Sequence, residues 1–384
     1  MRARWRSAAA ARRRTRRSIA PGPLREPDGV EHLPDPGRRV LAGQLARGAE
    51  RLLEDLADGH EGVEGAVRVL EHDLHLAGEL VSSAAPAGRV QANGLTFEYF
   101  EAGEGPLALC MHGFPDTPYT YRHLLPVLAE AGFHAVAPFV RGFAPTELPP
   151  LRHHVHTSVM VADQIALARA LGGGQDALLV AHDWGAVGAW GALSRAPELW
   201  GRAVILNIPP FEIFGENLVT YPQIKKSFYF WYFQMLPVIE DRIRQDDFAF
   251  IRDIWGDWSP GYEAKEDVGY VAEALADPDH LRAALGYYWG QFEPARFGSP
   301  EWAAEQAAAW AGNVRQPGLY LHGTTDGCHG VSQHQVDRVP SYSGPGSEAE
   351  LIEGVGHFML VERPEEINRR ITDWLGRTGA SQDG

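Results

Sequence analysis

An aspartate set between small residues is the chemically sharpest feature of the chain. Ala181-His182-Asp183-Trp184-Gly185 follows the apolar run Ala177-Leu178-Leu179-Val180 and precedes the small-residue segment Ala186-Val187-Gly188-Ala189. Strand, abrupt turn and helix are implied, with a small residue two positions either side of the acid. Such a nucleophile elbow thrusts one side chain toward a substrate and tolerates no bulk at its flanks. Serine is the usual occupant. A carboxylate in that place attacks saturated carbon and forms an alkyl ester, so epoxides or alkyl halides are expected rather than esters or amides.

Three further stations fall where an elbow needs them. His112-Gly113-Phe114-Pro115 follows the apolar run Leu107–Met111. Gly113 permits a turn that aims the Phe114 N–H inward, and the Trp184 N–H is the natural second donor of an oxyanion hole, each worth about 100- to 1,000-fold in rate. Asp326 lies just past Leu321-His322-Gly323, and His357 sits in the glycine-rich turn Gly354-Val355-Gly356-His357-Phe358. The chain order nucleophile, second acid, histidine is that of a hydrolase triad. His357 is expected to take a proton from water, its ordinary pKa of about 6.5 suiting neutrality, and Asp326 to orient the ring. His182 and His322 are expected to be hydrogen-bonded neighbours of their turns. No metal is expected: His153, His154 and His156 lack a carboxylate partner, and His60, His72 and His75 read as surface residues. No cofactor is expected either.

Positioning these residues requires a sheet. Leu95–Phe100 alternates like an edge strand; Leu107–Met111, His134–Pro138, Leu178–Val180, Ala203–Asn207 and Gly318–His322 read as buried strands, with helical spacing from Ser158 to Leu171. Strands separated by helices imply a mostly parallel α/β sheet flanked by helices. The alternation stops at Ile208-Pro209-Pro210, and an aromatic-rich stretch of helical pattern follows. The expected organisation is a core at 88–210 and 313–384, a helical cap at 211–312, and an N-terminal extension at 1–87. In that extension residues 1–37 read as disordered, and apolar stripes at 40–56 and 67–74 have helical spacing.

Composition narrows the function classes. The chain has 384 residues, 45% of them apolar, and a net charge of -15, which argues against nucleic acid or an anionic membrane as partner. Residues 1–17 carry eight arginines, but no basic fold stands behind them. No apolar run approaches the length of a membrane span of about 18 residues. Arg12–Arg17 is not followed by the apolar region of an export signal. Two cysteines, Cys110 and Cys328, make no disulfide framework and fit a reducing cytoplasm. The oligomeric state is left open.

From about residue 89 to 376 the chain resembles the α/β-hydrolase superfamily, and within it the epoxide hydrolase branch. His112-Gly113-Phe114-Pro115 with Tyr119-Thr120-Tyr121-Arg122, and His182-Asp183-Trp184-Gly185, are similar to that branch's oxyanion and nucleophile signatures. Ala181 stands where the branch more often has Gly, and Phe139 where an acid is common. The resemblance implies an α/β-hydrolase fold with an inserted helical cap. It also implies two cap tyrosines that hydrogen-bond an epoxide oxygen: Tyr229 in Ser227–Gln234, with Tyr232 as alternate, and Tyr288 in Leu285–Trp289, with Tyr287 as alternate. His112, Trp231 and Trp289 are the expected substrate contacts, and the aromatic cap suggests a small apolar epoxide. Haloalkane dehalogenation competes, because it uses the same elbow; Phe114 offers no side-chain halide donor, although Trp231 or Trp289 could. A haloacid enzyme would need Arg122 or Arg141 as a carboxylate clamp. A catalytically silent binding protein on the same fold is the remaining alternative.

Overall fold

The computed structural model describes residues 86–148, 155–236, 238–310 and 314–379. The Arg-rich start, the stripes at 40–56 and 67–74, and His60, His72, His75, His153 and His154 lie outside them. Among the described residues the strands are β1 (Gly88–Ala92), β2 (Leu95–Ala102), β3 (Leu107–Met111), β4 (His134–Pro138), β5 (Leu178–His182), β6 (Arg202–Leu206), β7 (Gly318–Gly323) and β8 (Glu348–Ile352). They form one sheet in the order β1-β2-β4-β3-β5-β6-β7-β8. β2 pairs antiparallel with β1 and β4, and every pairing from β4 to β8 is parallel. Every residue of β3 and β5 is buried, as the unbroken apolar runs require of strands covered on both faces.

One expectation is corrected here. Leu95–Phe100 is not at the edge, because β1 folds back over it through Asn93-Gly94, both with positive φ. Asn-Gly favours that two-residue hairpin turn, since both central residues must enter the left-handed region.

Parallel neighbours need crossovers. These contain α1 (Leu124–Glu130), α2 (Thr157–Ala170) and α3 (Trp184–Arg195). Between β6 and β7 the chain instead builds α4 (Phe211–Leu218), α5 (Tyr221–Lys226), α6 (Phe228–Tyr232), α7 (Val238–Arg244), α8 (Ala249–Trp258), α9 (Lys265–Ala274), α10 (Pro278–Phe292) and α11 (Pro300–Trp310). The last part holds α12 (Gln333–Arg338), α13 (Met359–Glu362) and α14 (Pro364–Gly379). α14 buries Ile367, Ile371, Trp374 and Leu375, one stripe at helical spacing. α10 starts on Pro278 with the Asp277 carboxylate accepting from the Asp279 N–H at 2.7 Å. Every position from Ala283 to Phe292 is buried, which makes α10 the spine of the insertion. Phe230 stacks on Phe292 at 3.9 Å, and Tyr229, Phe233 and Tyr288 complete the aromatic cluster. Ring pairs of this kind add about 0.5–1.5 kcal/mol each beyond burial.

The register brings the carboxyl ends of the parallel strands level. Met111 lies beside Ala181, His182 beside Leu206, Leu206 beside Leu321, and Gly323 beside Ile352. The loops that carry residues 112–116, 183, 207, 326–329 and 357 therefore leave the sheet at one edge, where ligands of open α/β sheets bind. Among the described residues no helix is long and apolar enough to cross a membrane.

Candidate active site

Asp183 is the last residue before α3 and takes φ 52° and ψ -123°. A side chain in that region costs about 1–3 kcal/mol and persists only where the surroundings enforce it. They do so through small neighbours. A Cβ on Gly185 would stand 2.1 Å from the Met111 carbonyl oxygen, and one on Gly113 would stand 2.1 Å from Asp183 Oδ1 and 2.5 Å from the Trp184 nitrogen. The close approach at Gly113 lets the Phe114 N–H donate to Asp183 Oδ1 at 2.8 Å. One carboxylate oxygen is thus held by the main chain, with the Trp184 nitrogen against the same turn.

The second oxygen, Asp183 Oδ2, stands 3.7 Å from His357 Nε2. That nitrogen is fully buried and has no hydrogen-bond partner. Its ring partner Nδ1 donates to Asp326 Oδ2 at 3.1 Å, which leaves Nε2 as the basic atom. Burial opposes a charged imidazole here, but the Asp326 carboxylate beside it, helped by Asp183, lifts His357 above its ordinary 6.5. Burial equally opposes the charge on Asp326, and His357 overcomes it, holding that carboxyl well below the usual range. Asp326 Oδ1 also accepts from the Cys328 and His329 N–H groups at 2.7 and 3.0 Å, and Oδ2 accepts from Asn207 Nδ2 at 2.7 Å.

Above the acid lies a cavity with about 560 Å³ of empty space, part of it open to solvent. Asp183, Trp184, Tyr229, Tyr288, Cys328 and His329 line it, with Phe211, Phe214, Phe230, Phe292 and Trp302 as apolar walls. Burial, reinforced by nearby negative groups including Asp183, pushes Tyr229 and Tyr288 well above the ordinary tyrosine value. Both are therefore neutral hydroxyls able to donate a proton. The Tyr229 hydroxyl is 3.2 Å from Cys328 Sγ. Of the alternates, Tyr287 donates to the Arg141 carbonyl at 2.8 Å, and Tyr232 packs half-buried against Phe250.

The other expected substrate contacts do not line this cavity. His112 is tied to its own turn: Nδ1 bonds the Gly113 carbonyl at 2.9 Å and Nε2 accepts from the Val140 N–H at 3.1 Å. Trp289 donates its ring N–H to the Phe233 carbonyl at 2.7 Å, and Trp231 packs on Phe297. In each case packing and hydrogen bonding set the direction of the side chain away from the cavity. Arg141 and Arg122 are likewise occupied, in buried ion pairs with Asp163 and Asp267, so neither is available as a carboxylate clamp. His182 donates to the His357 carbonyl at 3.1 Å, its other nitrogen 3.6 Å from Asp116 Oδ2, and His322 bonds Tyr320 and the His329 carbonyl.

Sequence reasoning missed Asn207, Asp116, Cys328 and His329. His329 is fully buried with neither ring nitrogen partnered, and burial with the neighbouring His322 pushes it down to about 3. This neutral ring is part of the cavity wall. Its only signal in the sequence was its position three residues after Asp326.

The geometry agrees with what the chain resembles. The family described as the alpha/beta hydrolase fold matches residues 106–364. Epoxide hydrolase A of Mycobacterium tuberculosis is 30% identical over 327 residues, covering 76% of this chain and 98% of that protein. An epoxide hydrolase of Caballeronia sordidicola is 28% identical over 319 residues, covering 74% and 92%. Among solved structures, the Bacillus megaterium epoxide hydrolase in complex with an inhibitor matches with a TM-score of 0.64 at 25% identity, over 75% of this chain and 100% of that one. An epoxide hydrolase from Vigna radiata matches with a TM-score of 0.62 at 27% identity, over 76% and 97%.

Proposed function

We propose, from the premise that this chain belongs to the α/β-hydrolase family and is an epoxide hydrolase-like enzyme, that it opens small apolar epoxides to vicinal diols through an ester on Asp183. The observation that carries the reading is the asymmetry of that carboxylate. Oδ1 accepts from the Phe114 N–H, while Oδ2 stands 3.7 Å from an unpartnered histidine nitrogen, with two neutral tyrosines lining the cavity.

In the first step Oδ2 attacks an epoxide carbon as the ring C–O bond breaks. Tyr229 and Tyr288 hydrogen-bond the ring oxygen, and one of them gives it a proton, leaving a hydroxyalkyl ester and a tyrosinate. In the second step His357 Nε2 takes a proton from water and the hydroxide adds to the Asp183 carboxyl carbon. The negative charge gathers on Oδ1, where the Phe114 N–H already points and the Trp184 N–H is the second donor. Collapse breaks the bond to Oδ2, His357 returns its proton to the leaving diol, and the regenerated carboxyl proton restores the tyrosine. Epoxide and water are consumed and the diol is the sole product.

The halide alternative has less support. It needs a second N–H donor beside Trp184, yet the Trp289 ring N–H is held by the Phe233 carbonyl and Trp231 lies off the cavity. A single turnover in oxygen-18 water with enzyme in excess distinguishes ester formation from direct attack by water. Unlabelled diol with label in the peptide containing Asp183 is the expected result. Label in the diol and none in that peptide would overturn the covalent route.

A further inference from the structure

Cys328 has no part in the mechanism above, yet its place is fixed by it. Its N–H donates to Asp326 Oδ1 at 2.7 Å, which sets the turn and delivers the thiol into the cavity. One donor atom each from Asp183, Cys328 and His357 lies within 4.8 Å of the other two, and all three residues are buried. Within this cluster His357 Nε2 is fully buried, unpartnered and 3.7 Å from Asp183 Oδ2, a lone pair left open to a ligand.

We infer that Asp183, Cys328 Sγ and His357 Nε2 form a three-ligand site for a thiophilic divalent ion such as Zn²⁺, and that its occupancy switches the hydrolase off. Carboxylate, thiolate and imidazole are the mixed donor set that borderline-soft Zn²⁺ accepts, and three protein ligands with one open position is a familiar count. Around a tetrahedral zinc, donors stand about 3.4–3.6 Å apart, from bonds of about 2.0–2.3 Å. The 3.7 Å between Asp183 Oδ2 and His357 Nε2 is close to this, and the thiol, within 4.8 Å of the other two donors, needs to close by at most about 1.2–1.4 Å. The Asp326–His357 bond supplies the carboxylate–histidine support usual behind a metal-bound imidazole, with Nδ1 carrying the proton and Nε2 bare. Charge also balances: coordination releases the thiol proton, and carboxylate and thiolate together neutralise the dication. The fourth position is left for water. Bound in this way, the ion takes both the attacking oxygen and the base, so it excludes the epoxide rather than activating it.

Metal binding needs only the three side chains; the switching-off rests on the proposed function. Full-length protein freed of metal by chelation is titrated with Co²⁺, and thiolate-to-cobalt charge-transfer absorption is recorded. The band is expected in the wild type and in Cys110→Ser, whose cysteine is buried within β3. It is expected to vanish in Cys328→Ser and to weaken in His357→Gln, which keeps the thiol should the first variant misfold. An unchanged band in Cys328→Ser, or none in the wild type, overturns the site. Styrene oxide turnover then tests the consequence. Zn²⁺ is expected to inhibit competitively and reversibly by chelation, with the half-inhibiting concentration raised at least about tenfold in Cys328→Ala. Equal inhibition of both proteins overturns the assignment of the thiol. Absence of turnover without metal would count against the proposed function and leave the cobalt result to decide the site.

Discussion

Replacing Tyr229 by Phe sets a large expected loss of rate against a small loss of stability. The side chain is 1% exposed, and its rings-only contacts with Phe230, Phe233, Trp258 and Tyr288, at centroid distances of 4.8–5.6 Å, survive the change. What disappears is a hydroxyl whose partner is Cys328 Sγ at 3.2 Å. Sulfur is a weak acceptor, so the stability cost is at most about 1 kcal/mol, or about 1–2 °C in Tm for a chain of this size. The catalytic side is larger. Opening the ring leaves an alkoxide, and a positioned acid is worth about 100- to 10,000-fold, equivalent to about 2.7–5.5 kcal/mol of barrier. Rate should therefore fall far more than stability. Tyr288→Phe is expected to behave alike, and the double variant to lose more than either, though less than the product if the two hydroxyls share one load. The assay is the rate of ester formation at Asp183 with enzyme in excess, read by quenched intact mass, beside a thermal melt. Unchanged alkylation in both single variants and the double, with melts intact, would refute the role of the cap tyrosines and shift weight to a halide substrate.

In His357→Gln, attack by Asp183 should survive while hydrolysis slows by about 100-fold or more; intact mass should then show an adduct equal to the whole epoxide, and tight binding without an adduct would count against a covalent route. The pH dependence of ester hydrolysis follows from the His357–Asp326 pair. Only neutral His357 is a base and Asp326 raises its pKa, so the rate should rise with pH with a midpoint above 6.5; Asp326→Asn should move that midpoint down, and a midpoint unmoved in pre-steady-state profiles would dissociate the pair from the base. Gly113→Ala places a methyl 2.1 Å from Asp183 Oδ1, so kcat should fall at least about 100-fold with far-ultraviolet circular dichroism unchanged; near-normal kcat would show that the Phe114 N–H is not required.

Elements and stations differed in how far the sequence could reveal them. Strand–turn–helix around Asp183 was readable because a turn so tight restricts residue type on both sides, and Gly113 and Gly185 are the restrictions seen in space. The convergence of Asp183, Asp326 and His357 was readable from their order after strands, since parallel strands in register leave their carboxyl ends at one edge. Side-chain direction was not readable. α10 is buried on all sides from Ala283 onward, so no polar face fixes its phase, and Tyr287, Tyr288 and Trp289 differ by rotation alone. The partners of Arg122 and Arg141 lie 145 and 22 residues away, beyond any local pattern. Asn207 reads as the end of a strand, and its amide reaches Asp326 only because β6 and β7 are neighbours. The hairpin of β1 was missed although Asn93-Gly94 announced it: Gly88–Ala92 is too polar to look like a strand by hydropathy.

The proposed chemistry has two steps with opposite demands on one carboxylate, and the backbone at Asp183 reconciles them. Attack requires a free anionic oxygen; hydrolysis requires the same group, now an ester, to be polarised toward its carbonyl oxygen. A symmetric environment would serve neither well. Here the Phe114 N–H bonds Oδ1 in the resting protein, a charge-assisted bond worth about 1.5–3 kcal/mol. That bond makes Oδ1 the poorer nucleophile and Oδ2 the attacking atom. After attack Oδ1 is the ester carbonyl, and the same N–H faces the charge that grows when hydroxide adds, where it is worth more than in the ground state. His357 stands on the Oδ2 side at 3.7 Å, next to the bond that water must cleave with its help. The strain of φ 52° and ψ -123° is the local cost of presenting the two oxygens to different partners. Because the donor is main chain, no side-chain deletion at Phe114 removes it. Only a change that moves the turn can do so, which is why Gly113, itself without chemistry, should matter as much as a member of the triad.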